Sequence, residues 1–397
     1  MKANIAVGFG NNIDYEIVLN SKAIEDLINR YDIRLAELDI NTLIKSERDL
    51  VISILSFLQL SIGGERIVAS SDIIEQFSAH FEKKITLGGT SVRAAIAMRK
   101  FGYKSALHLV TLNDHVRKLI PHDSPYVCSS TEESLYPHLI AQYGQGIHIK
   151  ANDIDICASH ANRLIYHNDT DNITMNLNEA YGDLITEAKV LLFSGFNAME
   201  SETLLAERME TILRIMSHLP EDALVYYEDA GFHEPRFSHL IYRTLAGKLD
   251  IVSLNEDELQ DYLDRRIDLL DAVQIKEAVE DLHKLIPVPV LVVHSKYWAL
   301  AYGDNAARFA KSLKGGTTMA TTRFRHGDDF TVDDYHTIET LPPTPAGAHF
   351  TEAITQLMGN KISCVPVAQV EQANATTVGL GDAFVGGFLP ALLSVEE

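Results

Sequence analysis

The chain has 397 residues, 46% hydrophobic and 22% charged, a balance that fits a soluble globular protein with one large domain and a smaller one. Its 34 basic and 55 acidic residues give a net charge of −21, which argues against nucleic acid or an anionic membrane as a partner. Three scattered cysteines (Cys128, Cys157, Cys364) form no Cys-x-x-Cys pair, and no His-Glu-x-x-His spacing occurs. A disulfide framework and a zinc site are therefore not expected, and a reducing cytoplasm is. The N-terminus reads as no signal peptide, and no apolar run reaches the roughly 18 residues of a membrane span.

Short apolar runs alternate with helical patterns. Residues 5–8 and 105–110 read as buried strands, and residues 190–193, 223–227, 251–254 and 288–293 continue the series. Between them, residues 202–219 and 267–285 repeat apolar side chains at helical spacing. Strand–helix–strand alternation with uniformly apolar strands predicts an α/β fold, a mostly parallel sheet covered by helices on both faces. Right-handed crossovers put the strand C-terminal ends, and the site, on one edge. The less regular stretches 14–83 and 121–177 are too long for plain loops. They predict a smaller, discontinuous lid inserted into a large nucleotide-binding domain of residues 1–13, 84–120 and 178–397.

The most informative stretch is Thr377-Val378-Gly379-Leu380-Gly381-Asp382. Gly379 and Gly381 allow backbone N–H groups close to an anion, and a helix start behind them adds the positive end of its dipole. Asp382 would then stand beside a bound phosphate, ready to take a proton from a hydroxyl. The same residues also suit an ordinary helix cap. Two predicted strands end in carboxylates, Tyr226-Tyr227-Glu228-Asp229 and Asn255-Glu256-Asp257-Glu258. Carboxylates at adjacent parallel strand ends suit Mg²⁺ held against nucleotide phosphates. The first strand ends in Gly10-Asn11-Asn12-Ile13-Asp14, whose polar groups suit sugar hydroxyls, and lacks the third glycine of a dinucleotide fingerprint. Gly88-Gly89 opens a small-residue helix that contains Arg93.

Together these motifs resemble the ribokinase-like sugar kinases, and within them the ADP-dependent glucokinases and phosphofructokinases. The resemblance runs thinly from Gly8 to Phe388. Asn162-Arg163-Leu164-Ile165, Ser194-Gly195-Phe196-Asn197 and Val293-His294-Ser295 are also similar to segments of that branch. It implies Asp382 as base, with Gly379 and Gly381 around the transferring phosphoryl group. It implies Asn12, Asp14, Gly88 and Gly89 on the sugar, Asn255, Arg163, Ser295 and Gly379 on the nucleotide, and Glu228 and Glu258 at Mg²⁺. Glu65 aligns loosely with a sugar-binding glutamate of the lid, and a surface ion pair is the competing reading. Two departures stand out: Tyr226 replaces the histidine of a His-x-Glu motif, and Arg93 interrupts a small apolar stretch. Arg93, with Arg66 and Arg163, suits the phosphate of a phosphorylated sugar.

The sequence thus predicts a Mg²⁺-dependent cytoplasmic kinase, a monomer or small homo-oligomer, that phosphorylates a hexose or hexose phosphate from ADP. An ATP-dependent kinase of another sugar or nucleoside, and a non-catalytic sensor, are alternatives on the same residues.

Overall fold

Strand residues of alternating parity feed two separate apolar layers. In Val190–Phe193, Val190 and Leu192 pack into one buried cluster, while Leu191 and Phe193 pack into another. A strand buried on both faces needs this continuous apolar character, which is why the runs were legible. The structure is a computed structural model that describes residues 4–232, 234–371 and 378–393.

Among the described residues, nine strands form the large sheet. Their spatial order is Ile362–Pro366, Trp298–Gly303, Val290–His294, Ile251–Asn255, Leu224–Glu228, Val190–Phe193, Ile5–Val7, Ser105–Leu109 and Tyr126–Cys128. Only Trp298–Gly303 runs antiparallel to its two neighbours. The last expected strand starts at Val290, not 288, because Pro289 has no N–H for the ladder. The two helices expected between strands span Glu202–Met216 and Ala272–Leu285. The second begins late because Asp271 caps it, accepting from the N–H groups of Val273 and Gln274.

A five-stranded mixed sheet has the order Gly64–Ile67, Asn162–His167, His138–Tyr143, Asn12–Val18, Lys83–Gly88. Here the side chains do alternate. Ile13, Tyr15, Ile17, Leu139, Ala141, Leu164 and Tyr166 join the core formed with the helices Ser21–Tyr31, Glu47–Leu60 and Ser71–Ser78. Pairing puts Asp14 opposite His138, Glu16 opposite Ile140, Ile165 opposite Ile140, and Glu65 opposite Ile165. The other face therefore carries Asn12, Asp14, Glu16, His138, Glu65, Arg163 and His167.

Sheet membership departs from the expected domain limits at three places. Asn12 and Ile13 belong to the small sheet. So do residues 84–88, because Lys83–Gly88 pairs antiparallel with Asn12–Val18. Tyr126–Cys128 extends the large sheet, because it pairs parallel with Ser105–Leu109.

Candidate active site

The helix Leu380–Leu393 is seated by absent side chains. A Cβ on Gly387 would lie 2.2 Å from the Gly315 carbonyl oxygen, and one on Gly316 would lie 2.6 Å from the Phe384 ring. These glycines let it approach the helix Ala310–His326 at backbone contact. On another side, Gly386 abuts Ala97 of the helix Thr90–Lys100. Asp382 lies in its first turn. Gly379, just before it, has φ +66°, and a Cβ there would sit 2.9 Å from Arg93 Nη1 and 3.0 Å from Asp382 Oδ2. Both constraints demand glycine. Gly381 is under no such demand, since its nearest neighbour, His294 Cε1, would be at 3.5 Å. Thr377 lies outside the described residues.

Arg93 is the hub of this region. Its Nη2 donates to Asp14 Oδ2 at 2.7 Å and lies 3.6 Å from Glu16 Oε1, while its Nε lies 3.6 Å from Asp382 Oδ2. Burial opposes the charge on Arg93, but the carboxylates of Asp14 and Asp382 outweigh it and raise the guanidinium pKa further. Asp14 Oδ1 accepts from Asn12 Nδ2 at 2.6 Å. The expected base and the expected sugar carboxylate thus meet at one guanidinium.

The double glycine is explained by the protein's own atoms. A Cβ on Gly88 would fall 2.4 Å from the Asn12 amide, and one on Gly89, at φ +95°, would fall 2.7 Å from the Gly10 carbonyl oxygen. The room expected for a ligand at these two positions is filled by Asn12 and Gly10. Asn11, expected beside sugar hydroxyls, is committed elsewhere. Its Oδ1 accepts from the N–H groups of Val110 and Thr111, and its Nδ2 donates to the Thr111 carbonyl. Arg66 leaves the cleft, donating to the Ile40 and Thr42 carbonyls.

On the polar face of the small sheet, Glu65 is 44% exposed, with Oε1 3.0 Å from His167 Nε2. The His138 and His167 rings lie 5.0 Å apart, and His138 Nε2 meets Asp169 Oδ2 at 3.1 Å. Burial pushes the His138 pKa down, yet Asp169, Asp14 and Glu65 more than offset this and raise it. Arg163 shares this face through its pairing with Gln142.

The carboxylates at the ends of the large sheet form a second cluster. Glu228 Oε1 meets His294 Nε2 at 2.9 Å, and its Oε2 accepts from the Tyr226 hydroxyl at 3.2 Å. The tyrosine in place of a histidine thus holds the same glutamate. His294 stacks on Phe384, tying this cluster to the signature helix. Asp229 accepts from the hydroxyls of Tyr227, Tyr242 and Tyr262, and burial raises its pKa despite them. Glu258 Oε2 accepts from the Asn255 N–H; burial, then the charge of Asp229, raises its pKa well above the usual range. Asn255 caps the helix Glu256–Leu263 through Asp257 and Glu258, and Ser295 Oγ closes a turn onto Tyr297 and Trp298. Both stand at the strand C-terminal edge with their side chains in local use.

Among the described residues, no group of three or more His, Cys, Asp or Glu side chains is arranged to hold a metal alone. Hard carboxylate oxygens crowded at adjacent strand ends still fit Mg²⁺, which takes one or two carboxylates and keeps water and phosphate for the rest. Glu228 and Glu258 would hold it.

A model described as the ADP-specific Phosphofructokinase/Glucokinase conserved region matches residues 3–389. The chain belongs to the ADP-specific phosphofructokinase/glucokinase family. Membership makes it a phosphotransferase with an alcohol group as acceptor, on a ribokinase-like fold. The ADP-specific phosphofructokinase of Pyrococcus horikoshii is 23% identical over 442 aligned residues, covering 98% of this chain and 97% of that one. A crystal structure of a phosphofructokinase from the same organism with AMP superposes with a TM-score of 0.78 at 21% identity, covering 100% of this chain and 99% of that chain. An ADP-dependent kinase in complex with fructose-6-phosphate and ADPβS gives 0.75 at 14%, covering 98% of this chain and 93% of that chain.

Within the family frame, the residues missed from sequence are those whose partners are remote. Glu16 reaches the site only because strand alternation puts it on the face of Asp14, a signal the sequence did carry. The three tyrosines around Asp229 carried no such signal, since Tyr242 and Tyr262 come from two separate helices.

Proposed function

We propose that this chain transfers the terminal phosphoryl group of ADP to a hydroxyl of a hexose phosphate, with Mg²⁺ bound at Glu228 and Glu258. The observation that carries the reading is the convergence of Asp14 and Asp382 on Arg93. Asn12 and Asp14 hold the sugar so that its hydroxyl faces Asp382. Asp382 accepts the hydroxyl proton, and the N–H groups of the turn from Gly379 onward stabilise the charge on the transferring group. The metal supplies neutralisation of phosphate charge. Closure of the small sheet over the cleft excludes water, so the phosphoryl group meets the sugar and not solvent.

The choice of a phosphorylated acceptor rests on the phosphofructokinase relatives and on the Arg163 guanidinium, which shares the polar face of the small sheet with the His138 ring. Arg66 does not contribute, because the Ile40 and Thr42 carbonyls engage it, and the Nη2 of Arg93 is taken by Asp14. The charge of −21 argues against a nucleic-acid partner, and the three scattered cysteines suit a reducing cytoplasm. Among the described residues no helix is long and apolar enough to cross a membrane.

A coupled assay with glucose and fructose 6-phosphate, each with ADP and ATP, tests the reading. Turnover should be fastest with ADP and fructose 6-phosphate, and Asp382→Asn should lower kcat by about 10²–10⁴. Turnover only with ATP would overturn the donor. A folded Asp382→Asn protein at the wild-type rate would overturn the base.

A further inference from the structure

Arg93 is only 7% exposed, in a helix turn whose neighbours are Val92, Ala94 and Ala95. An arginine is buried only where charge requires it. Here the requirement is large, since Asp14, Glu16 and Asp382 surround one guanidinium. Without Arg93 these three carboxylates would repel an incoming phosphate at the point where the reaction needs it.

The geometry of the remaining donors goes further. A guanidinium carries five N–H donors, and among the described residues only Nη2 makes a hydrogen bond, to Asp14. Nε faces Asp382 at 3.6 Å, beyond hydrogen-bond reach. Nη1 lies against the Cα of Gly379, where a methyl group would come within 2.9 Å of it. Its free edge therefore borders both the proton acceptor and the turn whose N–H groups receive the phosphoryl oxygens.

We propose that Arg93 is a catalytic cation of this chain, donating from Nε and Nη1 to the phosphoryl group in transit; this rests on the kinase reading above. In the step, the sugar hydroxyl oxygen forms a bond to the terminal phosphorus of ADP. The bond from that phosphorus to the bridging oxygen breaks, AMP leaves with the electron pair, and Asp382 takes the hydroxyl proton. Arg93 meets the negative charge on the three equatorial oxygens, a role an arginine fork suits and a lysine fills less well. The salt link to Asp14 holds the guanidinium to the sugar-binding strand, so the cation is in place when the sugar is.

The test compares wild type with Arg93→Met and Arg93→Lys. Arg93→Met should lower kcat by about 10²–10³-fold, as loss of a charge-stabilising donor does. KM for ADP should change little, Arg93→Lys should recover part of the rate, and added methylguanidine should rescue Arg93→Met. A folded Arg93→Met protein with kcat near or above wild type overturns the proposal, the latter marking Arg93 as a plug. A raised KM with unchanged kcat also overturns it, because Arg93 then only shapes the site. If Arg93→Met does not fold, Arg93→Lys decides: a rate equal to wild type removes the fork from the mechanism, and a lowered kcat at constant KM supports it.

A binding arm separates this proposal from the kinase reading. AMP, aluminium fluoride, Mg²⁺ and fructose 6-phosphate are titrated by calorimetry as a mimic of the planar transferring group. Wild type should bind the set, and Arg93→Met should lose the aluminium-fluoride-dependent gain in AMP affinity. If wild type shows no turnover with any donor, the kinase reading fails and takes the proposal with it; turnover by wild type with the gain retained in Arg93→Met overturns the proposal alone.

Discussion

Gly379 shows how much of this site hangs on one missing methyl group. Alanine there would carry a left-handed backbone, costing about 1–2 kcal/mol. It would also press on Arg93 Nη1 and Asp382 Oδ2. Gly379→Ala should therefore lose more activity than its stability loss accounts for. Urea melts and kcat measured on the same preparation check this, and a variant with wild-type kcat would mean that the Arg93–Asp382 geometry tolerates displacement. Tyr226→Phe tests the opposite case. It removes one hydrogen bond to Glu228, a net loss of about 0.5–1.5 kcal/mol, and leaves the one to His294. The fold should persist and the Mg²⁺ concentration for half-maximal rate should rise modestly; an unchanged Mg²⁺ titration would detach Glu228 from the metal. At this scale the sequence exposed residues that sit in short contiguous motifs, such as Gly379 and Asp382. It did not expose Arg93's partners, because a guanidinium's choice among sugar phosphate, solvent and carboxylate is made by tertiary placement.

The parallel strands that are apolar on both faces were the legible strands, whereas the equally buried antiparallel strand Trp298–Gly303 was not among the expected runs. The central strands of the large sheet are apolar on both faces and stood out as runs. The small sheet did not, since its strands are apolar on one face only and pair across long stretches of chain, as Gly64–Ile67 does with Asn162–His167. The glycine seam was equally silent: Gly315, Gly316 and Gly387 look like helix breakers until two helices are seen in contact. Gly387→Ala should destabilise by about 1–3 kcal/mol through overpacking. It should also lower activity, because the helix it displaces carries Asp382; an unchanged urea midpoint would show that the seam has slack. His108, in the strand Ser105–Leu109, gives a pH test. Its Nε2 accepts from the Asn178 N–H, and burial pushes its pKa down to about 3 from an ordinary 6.5. Between those values the unfolded chain binds a proton that the folded chain refuses. The stabilisation is complete above pH 6.5 and is lost as pH falls toward 3, at up to about 1.4 kcal/mol per pH unit. His108→Gln keeps an acceptor for Asn178 without a titrating ring. Its urea midpoint should fall less steeply with acid than that of wild type, and equal slopes would show that His108 protonates freely in the fold.

For the whole molecule, two of the chain's four passages between the two sheets are rich in glycine. Ile5–Val7 leads through Gly8, Gly10 and Asn11 into Asn12–Val18, and Lys83–Gly88 leads through Gly89 into Thr90–Lys100. The two passages touch, Gly89 against Gly10, so both are packed against each other at the floor of the cleft. Composition indicated a large unit with an insertion, but the limits of the units were set by pairing, which composition does not encode. Net charge, in contrast, is fully readable and has its own consequence. A charge of −21 repels ADP at long range, while Arg93 and Arg163 act only near the cleft. The Debye length falls from about 30 Å at 0.01 M to about 8 Å at 0.15 M salt, so added salt screens the distant acidic surface more than contacts inside the site. At fixed Mg²⁺, kcat/KM for ADP should therefore rise as KCl is increased across this range, with kcat nearly constant because the bound complex is formed at short range. A kcat/KM that falls steadily with KCl would show that the local cations, not the net charge, govern how the nucleotide arrives.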